Sequence, residues 1–270
     1  MENKVRDAAD AVKGVLEAVP VYQDALQPVA KEIGTSLQIA GKTVRMALAP
    51  FTALVWGYEK LADYLDVVLT EKLKNVPPER IITPSPTVAV PVLAALRISA
   101  EEPSLRELYA NLLATSMDQE TARNVHPAFV ASIQQMTPDE ARIIQLMETR
   151  RAIPMITVGV GFKILNPMDV HTEHLPHFSL IADEAGCAHP DLWPTYLTNL
   201  ARLGLVETHL GTLMASDAAY EDLRQHPTVA KIVSEIELVG IGYGTSRDEF
   251  LQLTALGQQF CKACVVRGGS

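Results

Sequence analysis

The sequence is poor in cysteine, in aromatic residues and in long apolar runs. Three of its 270 residues are cysteine, and 6% are aromatic. Because the cysteines are few and odd in number, a disulfide framework is disfavoured and a reducing cytosol is the expected setting. The polar start of the chain predicts no secretory signal peptide. Composition therefore favours a cytoplasmic protein.

Positive charge is also scarce. Lys and Arg number 23 against 32 Asp and Glu, which gives a formal net charge of −9. Sequence-independent binding to nucleic acid depends on neutralising phosphates, so this balance disfavours it for the chain as a whole. A hydrophobic content of 48% over 270 residues instead predicts a folded protein of one large or two modest domains.

The first half of the chain has the apolar periodicity of helices. Amphipathic patterns cover residues 5–19 and 22–33, and further helical patterns follow over 37–73, 87–98 and 101–116. A proline-rich break lies at 76–86, and a short helix begins at His126. We predict that residues 1–136 form a helical bundle.

The segment 37–73 is the most hydrophobic part of the chain and allows two interpretations. Its centre, residues 46–56, is uncharged, whereas a helix that spans a bilayer needs ~20 apolar residues. The first interpretation is a buried helix of the bundle. The second is a segment that rests on a membrane, and the residues then expected to contact lipid are Phe51, Leu54, Val55 and Trp56.

The motif Thr137-Pro-Asp-Glu140 has the features of a helix start. Thr137 can act as the N-cap, Pro138 suits the first helical position, and Glu140 completes a capping box. We place the domain boundary here, so that residues 137–270 form the second domain.

The second half has a different order of elements. A helix at 138–150 is followed by a β-like run at 153–158, a His-rich loop, helices at 178–187 and 190–203, and a strand at 205–210. This order is typical of a winged helix, a variant of the helix-turn-helix. Two local patterns agree with it: Leu203-Gly-Leu205, and Leu253-Thr-Ala-Leu-Gly257 before the last helix. The predicted fold class is mainly α, with an N-terminal helical bundle followed by a winged-helix-like α+β domain.

The helix at 190–203 is poorly equipped to read DNA. Its one basic residue, Arg202, is offset by Asp191, whereas base and phosphate readout needs several donors. For the aromatic pair Trp193 and Tyr196, partial burial is the favoured interpretation. The alternative is a protein-binding face, because aromatic side chains are common interface anchors. Of the two binding roles, protein contact is favoured over DNA binding. The residues of the predicted face are Trp193, Tyr196, Asn199 and Arg202.

No pattern of catalytic, cofactor-binding or metal-binding residues is complete. His171, His174 and His177 surround Glu173, but Pro176 disrupts a helical face and no zinc-binding motif is present. Cys261-Lys-Ala-Cys264 has a redox spacing yet lies inside a predicted helix, which favours buried cysteines. We therefore predict no catalytic residues, no cofactor and no metal, and a protein that is not an enzyme.

Several stretches of the chain together resemble the bacterial abortive-infection alpha family, whose members are associated with defence against phage. They include Pro77-Pro-Glu-Arg-Ile81 and His126-Pro-Ala-Phe129, and the others are residues 20–34, 58–60, 105–114 and 253–260. The resemblance implies a role, the disabling of an infected cell before phage multiply, and transfers no catalytic residues.

The leading hypothesis is a cytoplasmic sensor or effector of phage defence that acts through protein contacts. Its expected partner is another protein or a second copy of the chain, with a phage component as a possible trigger. A membrane-active effector, peripherally associated through residues 37–73, and a winged-helix regulator that binds DNA remain as alternatives, the DNA-binding one being disfavoured.

Overall fold

The computed structural model describes residues 37–51, 59–98, 102–150, 152–162, 172–211, 217–240 and 242–265. The predicted helices at 5–19 and 22–33 lie outside these residues. The chain divides into two compact units between Ala131 and Ser132. The boundary that we predict before Thr137 stays a prediction, and each unit is described by itself.

The first unit is helical. Its described helices are α1 (Leu37–Leu48), α2 (Glu59–Leu73), α3 (Pro86–Ile98) and α4 (Pro103–Met117), and α5 (Ala128–Gln134) straddles the division. Helix α1 packs on α2, and both α2 and α3 pack on α4. Four leucines of α4 are buried, because they recur at helical spacing along the side that meets the other helices. These residues are Leu105, Leu108, Leu112 and Leu113.

The proline-rich break folds back onto the end of α4. After a 3₁₀ turn at Pro78–Arg80, Ile81 pairs with Asp118 in an isolated antiparallel bridge. The guanidinium of Arg80 donates to both carboxylate oxygens of Asp118, at 2.8 and 2.6 Å. Asp118 is buried, so this bidentate pair supplies the partners that its carboxylate needs away from water. The Pro-Pro-Glu-Arg-Ile motif therefore has a structural role, because it holds the proline-rich segment against the end of α4.

The second unit combines helices with a four-stranded antiparallel sheet. Its helices are α6 (Pro138–Glu148), α7 (Ile181–Glu184), α8 (Trp193–Arg202), α9 (Asp217–Arg224), α10 (Pro227–Val239) and α11 (Ala255–Cys264). Its strands are β1 (Ile153–Gly161), β2 (Thr172–Phe178), β3 (Val206–Leu210) and β4 (Tyr243–Leu253), in the order β2-β1-β4-β3. The predicted fold class, mainly α with an α+β C-terminal region, is confirmed.

One face of the sheet packs against α9 and α10. Its core consists of Ile156 and Val158 from β1 together with Tyr220, Leu223 and Val229 from the two helices. Alternation along β1 points Thr157 to the opposite face. That opposite face carries the polar residues of the candidate site.

Two local predictions in this unit are wrong. The His-rich segment is the strand β2 and not a loop, because it pairs with β1 along the outer edge of the sheet. The predicted helix at 178–187 is reduced to the single turn α7, because Phe178 belongs to β2 and Gly186 turns the chain with a φ of 66°. A segment that pairs with a strand elsewhere in the chain gives only a weak local signal.

The two patterns that suggested a winged helix contact each other. Gly204 takes a φ of 71° after α8, and its carbonyl accepts from Thr254 Oγ1 at 2.5 Å. The same Thr254 oxygen caps α11 by accepting from the N–H of Gly257 at 2.9 Å. A Cβ on Gly257 would lie 1.9 Å from the carbonyl oxygen of Leu205, so this close approach requires glycine. The winged-helix assignment itself stays a prediction, with β2, α9 and α10 as additions to the expected order.

Candidate functional site

The start of α6 is fixed by a local cap and by a buried carboxylate. The predicted capping box is present: Thr137 Oγ1 accepts from the N–H of Glu140, and the Glu140 carboxylate accepts from the N–H of Thr137. The next acidic residue, Asp139, is buried. Its carboxylate forms an ion pair with Arg142 and accepts hydrogen bonds from three groups of the α7–α8 region. These donors are the N–H groups of Ala188 (2.9 Å) and His189 (3.0 Å) and the hydroxyl of Tyr196 (2.8 Å).

Burial of Asp139 by itself raises the pKa of its carboxyl group. The hydrogen bonds from Ala188, Tyr196 and His189, together with Arg142, outweigh burial and hold that pKa below its ordinary value. Asp139 is therefore ionised at neutral pH. It ties α6 to the segment that leads into α8, and its donors leave little capacity for a ligand.

The aromatic residues of the predicted interaction face lie in the core. Trp193 is 4% exposed and Tyr196 is 3% exposed, so neither offers its ring to a partner in this structure. The Trp193 indole N–H donates to the carbonyl oxygen of His177 at 2.7 Å. Asn199 and Arg202 remain towards the surface, where Arg202 donates to Asn199 Oδ1 and Asn199 donates to the carbonyl of Gln135. The interaction face proposed for this helix is thereby reduced to these two polar residues.

Of the four residues predicted to contact a membrane, the structure describes one, Phe51. Phe51 is 1% exposed, so its ring is not available to a lipid surface in this structure. Leu54, Val55 and Trp56 lie outside the described residues. Among the helices that the structure describes, none combines the length and the apolar character needed to cross a bilayer.

The His-rich segment does not form a ligand cluster in the part that is described. His171 lies outside the described residues, His174 is exposed, and His177 is half-buried. Within the described ranges, no three His, Cys, Asp or Glu side chains are grouped so that they could hold a metal ion. Cys261 and Cys264 are buried in α11, where burial raises the pKa of both thiols, that of Cys261 to about 12.

His177 occupies a strained position at the end of β2. The register between β1 and β2 shifts because Ile156 faces Phe178 while Val158 faces Leu175, which inserts one extra residue in β2. His177 takes a φ of 53° there, and no other non-glycine of the described chain has a positive φ. Such a conformation costs roughly 1–3 kcal/mol and persists only where surrounding contacts determine it. An outlier of this kind marks a candidate site, and sequence reasoning had no signal for it.

A polar network surrounds this strained residue on the face opposite α9 and α10. His177 Nδ1 lies 2.6 Å from Glu249 Oε2, and the His177 N–H donates to Thr157 Oγ1 at 3.0 Å. Arg247 donates to Glu249 Oε1 and to Glu173 Oε1, each at 2.9 Å. The network therefore joins β1, β2 and β4 around the buried carboxylate of Glu249.

The pair His177–Glu249 changes the proton affinity of both partners. The hydrogen bond to Glu249 raises the pKa of His177 above its ordinary value, although partial burial acts in the other direction. Burial raises the pKa of Glu249, but hydrogen bonds from His177 and Arg247 outweigh it and leave that pKa lowered. His177 therefore keeps its proton to a higher pH than an ordinary histidine, while Glu249 stays ionised.

A separate surface lies on the side of the sheet that faces α10. A cavity of about 330 Å³ is lined mainly by apolar side chains of β1 and α10. At the end of α10, Val239 lines this cavity and is 66% exposed, and the preceding residue, Leu238, is 86% exposed. We refer to Leu238, Val239 and this cavity as the apolar α10 surface. The cavity is lined by Val160, Phe162, Thr172, His174, Ile232, Glu235, Ile236 and Val239.

Comparison with known proteins gives a family. The model of the family described as abortive infection alpha matches residues 58–264, which is more than half of the chain. The chain belongs to the abortive infection alpha family. The resemblance drawn from the short motifs is thereby confirmed, and the coarse role that follows for this family member is abortive-infection defence.

Two further comparisons add little to the family assignment. No curated protein matches this abortive infection alpha chain. Among solved structures, it is similar to an uncharacterized protein from the hydrocarbon-degrading marine bacterium Alcanivorax borkumensis SK2, at 21% identity and a TM-score of 0.36. That similarity covers 55% of this chain and 96% of the other.

Proposed function

We propose that this protein is a non-enzymatic, cytoplasmic sensor or effector of abortive infection that acts through contact with another protein. The observation that carries the proposal is the apolar α10 surface. A leucine exposed to 86% beside an exposed valine and an apolar cavity is unfavourable in water, whereas a partner that covers such a patch stabilises it.

The chemistry of the side chains supports a binding role over a catalytic one. The Asp139 carboxylate is saturated by donors from its own unit, and Arg247 is shared between Glu173 and Glu249. Burial raises the pKa of the Cys187 thiol to about 11, so it is protonated at neutral pH and a poor nucleophile. These groups stabilise the second unit and are not available to react with a substrate.

The partner in this proposal is a protein, either a second copy of the chain or another component of the infected cell. A phage component is the expected trigger. The apolar lining and the exposed Leu238 suit a partner that inserts an aliphatic or aromatic side chain, as interface anchors commonly do.

The proposal is tested by protection against phage. A strain that lacks the gene is complemented with the wild-type chain or with Leu238→Glu and is challenged with a broad phage panel. We expect the wild-type chain to restore protection and Leu238→Glu to lose it, because a charge at this position opposes burial by a partner. Plaque counts and survival of infected cells are the measurements.

The matched control is Val67→Glu. Val67 is 71% exposed on α2 of the other unit, so this substitution also places a carboxylate on an exposed helix position. We expect it to leave protection intact. Protection that survives Leu238→Glu contradicts a role for the apolar α10 surface, and a gene deletion without effect on any phage contradicts the defence role itself. Light scattering of the purified chain distinguishes a second copy from another partner.

A further inference from the structure

His177 is held in its left-handed conformation by contacts from three other elements. Its N–H donates to Thr157 of β1, and its ring nitrogen Nδ1 lies 2.6 Å from Glu249 of β4. Its carbonyl oxygen accepts from the indole N–H of Trp193, the first residue of α8, at 2.7 Å. One residue therefore joins the end of β2 to the sheet and to the start of α8.

Charge makes this junction sensitive to a single proton. The charged groups facing the ring are Glu249 and Arg247 from β4 and Glu173 from β2, while β1 and α8 contribute the uncharged Thr157 and Trp193. With His177 protonated, two positive charges balance two negative ones. With His177 neutral, the network has an excess negative charge, and the contact with Glu249 is no longer an ion pair, so the attraction between the two side chains is weaker.

We propose that His177 is a pH-sensitive latch: its protonated ring binds Glu249 and holds the bulge of β2 against Trp193, and loss of the proton frees the bulge and the start of α8. The strained backbone supplies the force for release, because a left-handed φ is kept only while the surrounding contacts hold it. This latch goes beyond the proposed function and does not depend on it.

The raised pKa of His177 determines whether rising or falling pH opens the latch. The pKa of His177 lies above its ordinary value of 6.5, chiefly because of the hydrogen bond to Glu249. A group whose pKa is raised by folding contributes stability that is complete below the unfolded pKa and is lost as the pH rises through the folded pKa. The latch is therefore closed below pH 6.5 and opens as the pH rises through the raised pKa of His177.

Trp193 is a built-in reporter of this state. The chain has 2 tryptophans, so Trp56→Phe leaves Trp193 as the sole source of indole fluorescence. In that background we expect the emission to change with pH along a one-proton curve whose midpoint lies above 6.5. His177→Asn removes the titrating ring and keeps a residue that tolerates positive φ, and it should abolish the curve. The matched control is His174→Asn, an exposed change in the same strand, which should keep it.

A flat emission in the Trp56→Phe chain overturns the latch, and so does a transition that persists in His177→Asn or disappears in His174→Asn. A second measurement needs no substitution, so it decides the matter even if His177→Asn does not fold. In the unaltered chain labelled with ¹⁵N, one indole N–H resonance should move with the same midpoint as one histidine ring. If neither indole resonance titrates with a histidine, His177 does not control Trp193.

Discussion

Single buried side chains hold together elements of the second unit that are distant in sequence. The carboxylate of Asp139 accepts from Tyr196, 57 residues further along the chain, and from the backbone of Ala188 and His189. Trp193 similarly donates to a carbonyl of β2. The sequence pattern alone allows both partial burial and an interface role for these aromatic residues, because spacing along a helix does not show which polar partner another segment supplies.

Removal of the Tyr196 hydroxyl should destabilise the protein. In Tyr196→Phe the buried Asp139 loses one of its donors while the others remain, so we expect the free energy of unfolding to fall by about 1–3 kcal/mol. Urea unfolding followed by circular dichroism measures the change. The control Thr195→Ala alters an exposed neighbour on the same helix and should stay within roughly 0.5 kcal/mol of wild type. Equal effects of the two variants would show that the bond to Asp139 contributes nothing.

The cysteines should be resistant to alkylation in the native protein. Burial raises the pKa of Cys187 to about 11 and that of Cys261 to about 12, and burial also raises the pKa of Cys264. At pH 8 about one thiol in a thousand would then be ionised at Cys187 and fewer at Cys261, and the thiolate is the reactive form. Mass spectrometry after iodoacetamide treatment should find slow modification at Cys187 and modification of the other two only in urea. Rapid alkylation of native Cys261 would contradict the buried position of this side of α11.

At the scale of elements, helix ends were well determined by local chemistry. Thr137 is predicted as an N-cap, and its side chain accepts the expected backbone N–H, as does that of Thr254 at the start of α11. Their partners lie three residues away in the chain, so the whole interaction is contained in the local sequence. The strand β2 was missed because its pairing partner β1 is supplied by the fold, and because Pro176 and three histidines mask any alternation.

Gly257 should be the most sensitive position of α11. A Cβ there would lie 1.9 Å from the carbonyl oxygen of Leu205, and backbone cannot yield as a flexible side chain can. We expect Gly257→Ala to lower the free energy of unfolding by about 4 kcal/mol or more. Thermal unfolding measures the change. The control, Gln258→Ala, alters the next residue, which is exposed, and should have little effect on stability. A stable Gly257→Ala protein would contradict the close approach of α11 to the turn after α8.

At the scale of the whole molecule, the charge balance is more informative than the order of elements. A net charge of −9 accompanies a helix α8 whose one basic residue, Arg202, is engaged with Asn199. Both observations disfavour DNA binding through α8, because such binding depends on basic side chains that neutralise phosphates.

The protein should not bind duplex DNA. In fluorescence anisotropy with a labelled duplex we expect no binding at micromolar protein, even at low salt, because few phosphates can be neutralised. Binding that weakens as salt rises, and that weakens again in Arg202→Ala, would revive the regulator hypothesis. A matched substitution, Lys231→Ala on α10, separates an effect of α8 from a general loss of positive charge.

The sequence by itself determined the mainly helical class, the positions of the caps and, through its short motifs, the family. These features depend on residues close together in the chain, whose spacing sets periodicity, capping and turn geometry. Only the tertiary structure decided that Trp193 and Tyr196 are buried, that Leu238 is exposed and that His177 meets Glu249. Burial and ion pairing depend on which distant segments fold together, because an apolar or charged side chain is satisfied by its neighbours in space and not by its neighbours in sequence.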